Sequence, residues 1–194
     1  QFLQSSHWVL IDPLLTLFVT AAAWAAWEAL QPGGQRAALP AFYTALILAL
    51  WTKGLIGPVL IGAGLCVHML AEQRVPWREL RLIPGAVVMA AGLALLGAAI
   101  YATGGSQAFY EWAWVNHVQR FTDPGLTGHR QPLAYYVWTL PFALLPWSIA
   151  VVPAFFPAAL RGPDPQAKLR RYCGALALGM ALLLSASATK RGIY

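Results

Sequence analysis

Between residues 116 and 136 the chain reads NHVQRFTDPGLTGHRQPLAYY, a stretch that crowds cations, imidazoles and tyrosines between two long apolar runs. Arg120 and Arg130 flank its apex, while Lys53 in WTKG and Lys190 with Arg191 in ATKRGIY break otherwise apolar sequence elsewhere. Guanidinium forks and ammonium point charges both neutralise phosphate oxygens, so a phosphate is the ligand this set suits. Ionisable groups at membrane helix ends are costly to desolvate and mark substrate or ion paths. The structural alternative is an interfacial anchor, with an apolar stem and a solvated head. Arg120 or Arg130 could also pair with Asp123 and hold the loop.

Asp12, followed by Pro13, has the side chain favoured at an N-cap and the residue favoured at the first helical position. Its functional alternative is to orient a cation or an acceptor hydroxyl. His129 suits a hydrogen bond to phosphate or sugar, and His117 suits loop packing. Tyr135 and Tyr136 enter the next apolar run where an interfacial aromatic belt is common. The Tyr136 hydroxyl and ring could also line a site. With Glu111 and Asp123 the two histidines hold enough donors for a divalent metal such as zinc, but their spacing follows no metal pattern. No metal and no other cofactor is therefore expected.

The elements that carry these residues must be membrane helices. The chain is 59% hydrophobic and only 10% charged, with a mean hydropathy of +0.58, where soluble domains carry roughly a quarter charged residues. Apolar runs of roughly 20 residues span hydrocarbon. Read that way, residues 11–30, 39–51, 55–70, 83–102, 133–160 and 172–188 are expected spans of one all-α polytopic bundle of about six crossings, with an extracytoplasmic loop at about 103–132. Pro141, Pro146, Pro153 and Pro157 should kink or break the fifth. The net charge of +6 comes without the basic, aromatic-interleaved surface of a nucleic-acid binder. Cys66 and Cys173 fall inside apolar runs as small hydrophobes.

Cytoplasmic loops carry the excess of Lys and Arg. Arg36, Arg74, Arg78, Arg81, Arg161, Lys168, Arg170 and Arg171 lie in three connectors. If these face the cytoplasm, Lys53, Arg120, Arg130, Lys190 and Arg191 gather on the outer side with Asp12, Glu111 and Asp123.

In HWVLIDPLLTLF around Asp12, WTKG around Lys53, NHVQRF…GHRQPLAYY with Pro146-Trp147, and SASATKRGIY at the end, the chain resembles the phospholipid-carrier-dependent glycosyltransferases of the GT-C fold. That group includes protein mannosyltransferases and lipid A aminoarabinose transferases. The resemblance implies transfer of a sugar from an undecaprenyl- or dolichyl-linked phosphate to a protein or lipid acceptor, at the outer face of a membrane, here a bacterial inner (plasma) membrane. It implies phosphate contacts from Lys53, Arg120, Arg130 and Lys190, and it matches Lys190 and Tyr194 to the family's K-x-x-x-Y pattern. It also implies an acidic base in a first outer loop that precedes residue 1, so the chain reads as truncated at both ends and inactive by itself. Two other readings share the cations: a transporter or flippase of a lipid-linked anion, which predicts repeated spans that are not found, and a non-catalytic subunit that binds carrier lipid.

Overall fold

Backbone surrounded by apolar side chains has no water to bond, so each span must satisfy its N–H and C=O groups within its own segment, and helices result. The computed structural model describes residues 12–34, 36–76, 78–119, 132, 134–151 and 164–186. Its helices are α1 (Asp12–Leu30), α2 (Ala38–Lys53), α3 (Ile56–Glu72), α4 (Leu82–Tyr110) running on into a π-helical segment (Glu111–Gln119), α5 (Tyr135–Ala143), α6 (Trp147–Val151) and α7 (Pro165–Ala186). Among the described residues there is no strand. α1, α4 with its extension and α7 are long and apolar enough to cross a membrane, and α2 and α3 are shorter apolar helices. The protein is an all-α membrane helix bundle.

Helices in lipid gain little from burying oily surface against each other, so close contact of small residues does the work. The core joins Ala22, Ala25 and Ala26 of α1, Phe42, Ala45 and Leu46 of α2, Ile61 and Leu65 of α3, and Tyr172 and Leu176 of α7. α3 and α7 cross at Gly64 and Gly179. A Cβ at Gly64 would sit 2.6 Å from Leu176 Cδ2, and one at Gly179 would run into the Ala63 carbonyl. The buried residues of α4 are Gly85, Gly92 and Gly97, and there Trp51 Nε1 donates to the Gly92 carbonyl at 3.2 Å. Tyr172 donates its hydroxyl to the Ala23 carbonyl at 2.7 Å, and its ring lies 5.1 Å from those of Trp27 and His68.

Three stretches depart from the expected layout. Residues 103–119, expected as loop, are helical. The Gly104-Gly105 pair suggests a turn, yet Gly105 takes φ 70° and ψ −167°, a conformation open to glycine, and so kinks one helix into the next. The chain then folds back on itself, with Phe109 and Trp112 resting at 3.2 and 3.6 Å from where a Gly97 Cβ would stand. The last helix starts at Pro165 and not at residue 172, because Asp164 accepts the Ala167 N–H at 3.3 Å and Pro165 fills the first helical position, a capping signal that apolarity does not register. Within 133–160 the described part is two short helices, α5 and α6, parted by a turn at residues 144–146. Cys66 and Cys173 are free and lie on exposed helix faces.

The glycine contacts generate a paired prediction. Gly179→Ala pushes a methyl into helix backbone and should cost about 1–3 kcal/mol. Gly62→Ala, where a Cβ meets nothing within 4 Å, should be neutral or gain up to about 1 kcal/mol. Thermal unfolding in detergent followed by circular dichroism separates the two, and equal midpoints would show that the α3–α7 crossing does not rest on this close approach.

Candidate functional site

α2 has 16 residues and α3 has 17, or roughly 24 and 26 Å at 1.5 Å per residue. Each falls short of the ~30 Å hydrocarbon layer, so the turn between them, Lys53-Gly54-Leu55, lies where unsatisfied backbone is costly. The N–H groups of Gly54 and Leu55 both find partners. Gly54 donates to the Leu50 carbonyl at 2.8 Å, and Leu55 donates to His117 Nε2 at 3.1 Å. Gly54 adopts φ 73° and ψ −153°, a region that disfavours side chains, and any Cβ there would collide with the His117 ring.

The imidazole is fixed from both sides. His117 Nδ1 lies 2.5 Å from the Trp112 carbonyl, and a carbonyl can only accept, so Nδ1 carries the proton. Nε2, which accepts from Leu55, is then bare, and the ring is the neutral Nδ1–H tautomer, assigned from its partners. Its edge meets Trp112 with ring centres 5.3 Å apart, and Trp112 in turn meets Phe109 at a tilt and Phe109 meets Tyr101 edge-on. This row of rings ties the folded-back segment to α4 and sets it over the α2–α3 turn.

Lys53, at the end of α2, forms an ion pair with Asp12 at the start of α1. The two side chains are 31% and 29% exposed. Beneath them Gly57 lets α3 approach Ala49 of α2 and Leu15 of α1, whose atoms lie 2.7 and 3.1 Å from where a Cβ would stand. The pair thus closes a three-helix contact. The carboxylate beside the ammonium limits where it points. What results is an oriented, partly solvent-accessible cation, suited to meet an anion arriving at this end of the bundle.

Of the other residues singled out from the sequence, Tyr136 is buried in α5, with its ring 5.3 Å from that of Tyr135. Arg120, His129, Arg130, Lys190 and Tyr194 lie outside the described residues, as does Asp123. Among the described residues no three His, Cys, Asp or Glu side chains come together as a metal site would need. Both nitrogens of His117 are engaged, and Glu111 accepts from the Gln107 amide at 2.9 Å. Gly54 and Trp112 were not singled out by their types, although a glycine directly after Lys53 between two apolar runs is a readable signal of a tight, crowded turn. The assigned tautomer has a direct check: 15N chemical shifts of His117 at neutral pH should show a protonated Nδ1 and a bare Nε2. The opposite pattern would remove the Leu55 hydrogen bond and with it the latch on the turn.

No family model matches the chain. Its relatives include undecaprenyl phosphate-alpha-4-amino-4-deoxy-L-arabinose arabinosyl transferases from Pseudomonas aeruginosa, 33% identical over 159 residues, covering 78% of this chain and 27% of the relative, and from Enterobacter sp., 27% identical over 150 residues, covering 75% and 26%. A third, from Sodalis glossinidius, is 30% identical over 158 residues, covering 79% and 27%. Among solved structures, ArnT from Cupriavidus metallidurans bound to undecaprenyl phosphate matches with a TM-score of 0.77 and 22% identity, covering 97% of this chain and 34% of that one. The chain therefore spans about a quarter of the length of the curated relatives it matches. In sequence and in fold it is a homologue of part of the aminoarabinosyl transferases, and the resemblance to carrier-lipid-dependent glycosyltransferases of the GT-C fold stands.

Proposed function

We propose that this chain belongs to an integral membrane glycosyltransferase that moves a sugar from a polyprenyl-phosphate donor to a lipid acceptor, with 4-amino-4-deoxy-L-arabinose on undecaprenyl phosphate as the donor that its relatives' names indicate. The observation that carries this reading is the Asp12–Lys53 pair, an aimed cation at the helix ends of a chain with such relatives. In the reaction an acceptor oxygen attacks C1 of the sugar. The C1–O bond to phosphate breaks and its electron pair leaves with the polyprenyl phosphate; the proton of a hydroxyl acceptor goes to a general base. Lys53 neutralises the charge that grows on the leaving phosphate oxygen. Asp12, already engaged, is a positioning residue for Lys53 and not the base.

Arg120, Arg130, His129, Lys190 and Tyr194 are the groups we assign to complete the phosphate and sugar contacts, with Tyr136 as a lining residue. No divalent metal is required by this scheme. The site faces the outer side of a bacterial inner membrane on this reading, since the arginine-rich connectors are the expected cytoplasmic signal.

Reconstituted in nanodiscs, the chain should bind undecaprenyl phosphate. Lys53→Ala should weaken that binding roughly 10- to 100-fold, the worth of one charge-assisted contact. Asp12→Asn, which removes the countercharge and keeps the ammonium, should weaken it less. Unchanged affinity in Lys53→Ala, with helix content intact, would remove Lys53 from the phosphate.

A further inference from the structure

At the end of the bundle away from Asp12 and Lys53, the α1–α2 turn and the connector into α4 enclose a cavity of about 510 Å³ whose lining includes Arg36, Arg78 and Arg81. Glu79 also lines it, but its carboxylate is taken by Arg74. Among the described residues the guanidiniums of Arg36, Arg78 and Arg81 have no ion pair. Lys53 lies thirteen residues along α2 from Pro40 in this cavity, or roughly 20 Å at 1.5 Å per residue. This basic site is therefore separate from the one proposed for sugar transfer.

The cavity does not end in solvent alone. A second hollow of about 300 Å³ runs on between α2 and α4, sharing Leu39, Pro40 and Arg81 with the first, and is lined further along by Ile47 and Val88. Ile83 and Val87 on the flanking helix are 75% and 66% exposed, which is the behaviour of a lipid-facing surface. Arg81 stands where the two hollows join, in a left-handed conformation (φ 46°, ψ 54°) that is uncommon away from glycine and asparagine. It is held there by Tyr43, which donates to the neighbouring Leu80 carbonyl at 2.7 Å, and by the Gly85 N–H, which donates to the Arg81 carbonyl at 2.9 Å. Strained backbone persists where its surroundings over-determine it, and such positions cluster at ligand sites.

Three guanidiniums without an ion pair among the described residues call for an anion, and a groove of apolar side chains opening from Arg81 calls for a hydrocarbon chain attached to it. We propose that Arg36, Arg78 and Arg81 bind the phosphate headgroup of an anionic bilayer phospholipid whose acyl chain lies in the α2–α4 groove. A free phosphate would use the first hollow and leave the second empty, so the pair of hollows favours the lipid. Basic pockets between membrane helices recognise anionic headgroups by this chemistry.

Native mass spectrometry of the purified chain with phosphatidylglycerol and with phosphatidylcholine tests this directly. Phosphatidylglycerol should be retained in preference, and each Arg→Gln change should lower the preference by about fivefold. The triple Arg→Gln variant should lose the preference while Arg81→Lys keeps most of it. Equal retention of the two lipids by the unaltered chain would overturn the proposal whatever the variants do. So would displacement of phosphatidylglycerol by millimolar inorganic phosphate, which would mark a free-anion site, or by undecaprenyl phosphate at equal concentration, which would mark a carrier-lipid site.

Discussion

Two helices too short to cross hydrocarbon must meet in a turn, and that turn must satisfy its polar groups without bulk water. The Lys53-Gly54-Leu55 junction meets this constraint through groups brought from elsewhere in the chain. Asp12 supplies the countercharge, His117 accepts the Leu55 N–H, and Gly54 gives the ring room to do so. Because these partners come from α1 and from the π-helical segment, the one junction ties together the start of the bundle, its middle and the folded-back helix after α4. The same arrangement leaves an ammonium fixed in direction at the helix ends, so the structural need and the proposed chemical use coincide in one side chain.

The two ends of the bundle solve different electrostatic problems. At the Asp12 end a cation is paired with a carboxylate, and the His117 ring covers the adjoining turn. At the other, Arg171 meets Glu72 at 3.2 Å and Arg74 meets Glu79, which leaves Arg36, Arg78 and Arg81 around the open cavity. Between them the helices come closest at glycine and alanine. α3 and α7 touch at Gly64, against Leu176, and at Gly179, against the Ala63 backbone, and α4 buries Gly85, Gly92 and Gly97 while Ile83, Val87 and Leu95 face outward. Small-residue crossings of this kind make the bundle rigid where helices touch and leave wide apolar faces for lipid or for further helices.

Much of this was legible in the sequence, and the physical reason differs from residue to residue. Apolar runs announce themselves by composition, and α1, α2, α3 and the first part of α4 are each built on one. Asp12 and Lys53 were visible as charges in unlikely places. Their contact was not, because it joins residues 41 apart, and only packing of α1 on α2 brings them together. The helix through residues 103–119 was hidden because Gly104-Gly105 reads as a turn, and here the glycine is spent on a kink. His117 read as a packing residue of a loop; that its two nitrogens bridge Trp112 and Leu55 depends on the fold-back that the kink permits. The polar first turns of α7 do not show in hydropathy, which has no term for an Asp164 cap.

The central claim is that the Lys53 ammonium, aimed by Asp12, meets the phosphate of a carrier lipid. Its most direct test is a dipolar recoupling measurement by solid-state NMR between 15Nζ of Lys53 and 31P of undecaprenyl phosphate, with the chain in lipid bilayers. A charge-assisted contact predicts strong dephasing at an N–P separation of about 3.5–4 Å, given N⁺–H···O⁻ distances near 2.8 Å. No dephasing at saturating undecaprenyl phosphate would contradict the account and leave the Asp12–Lys53 pair a purely structural clasp.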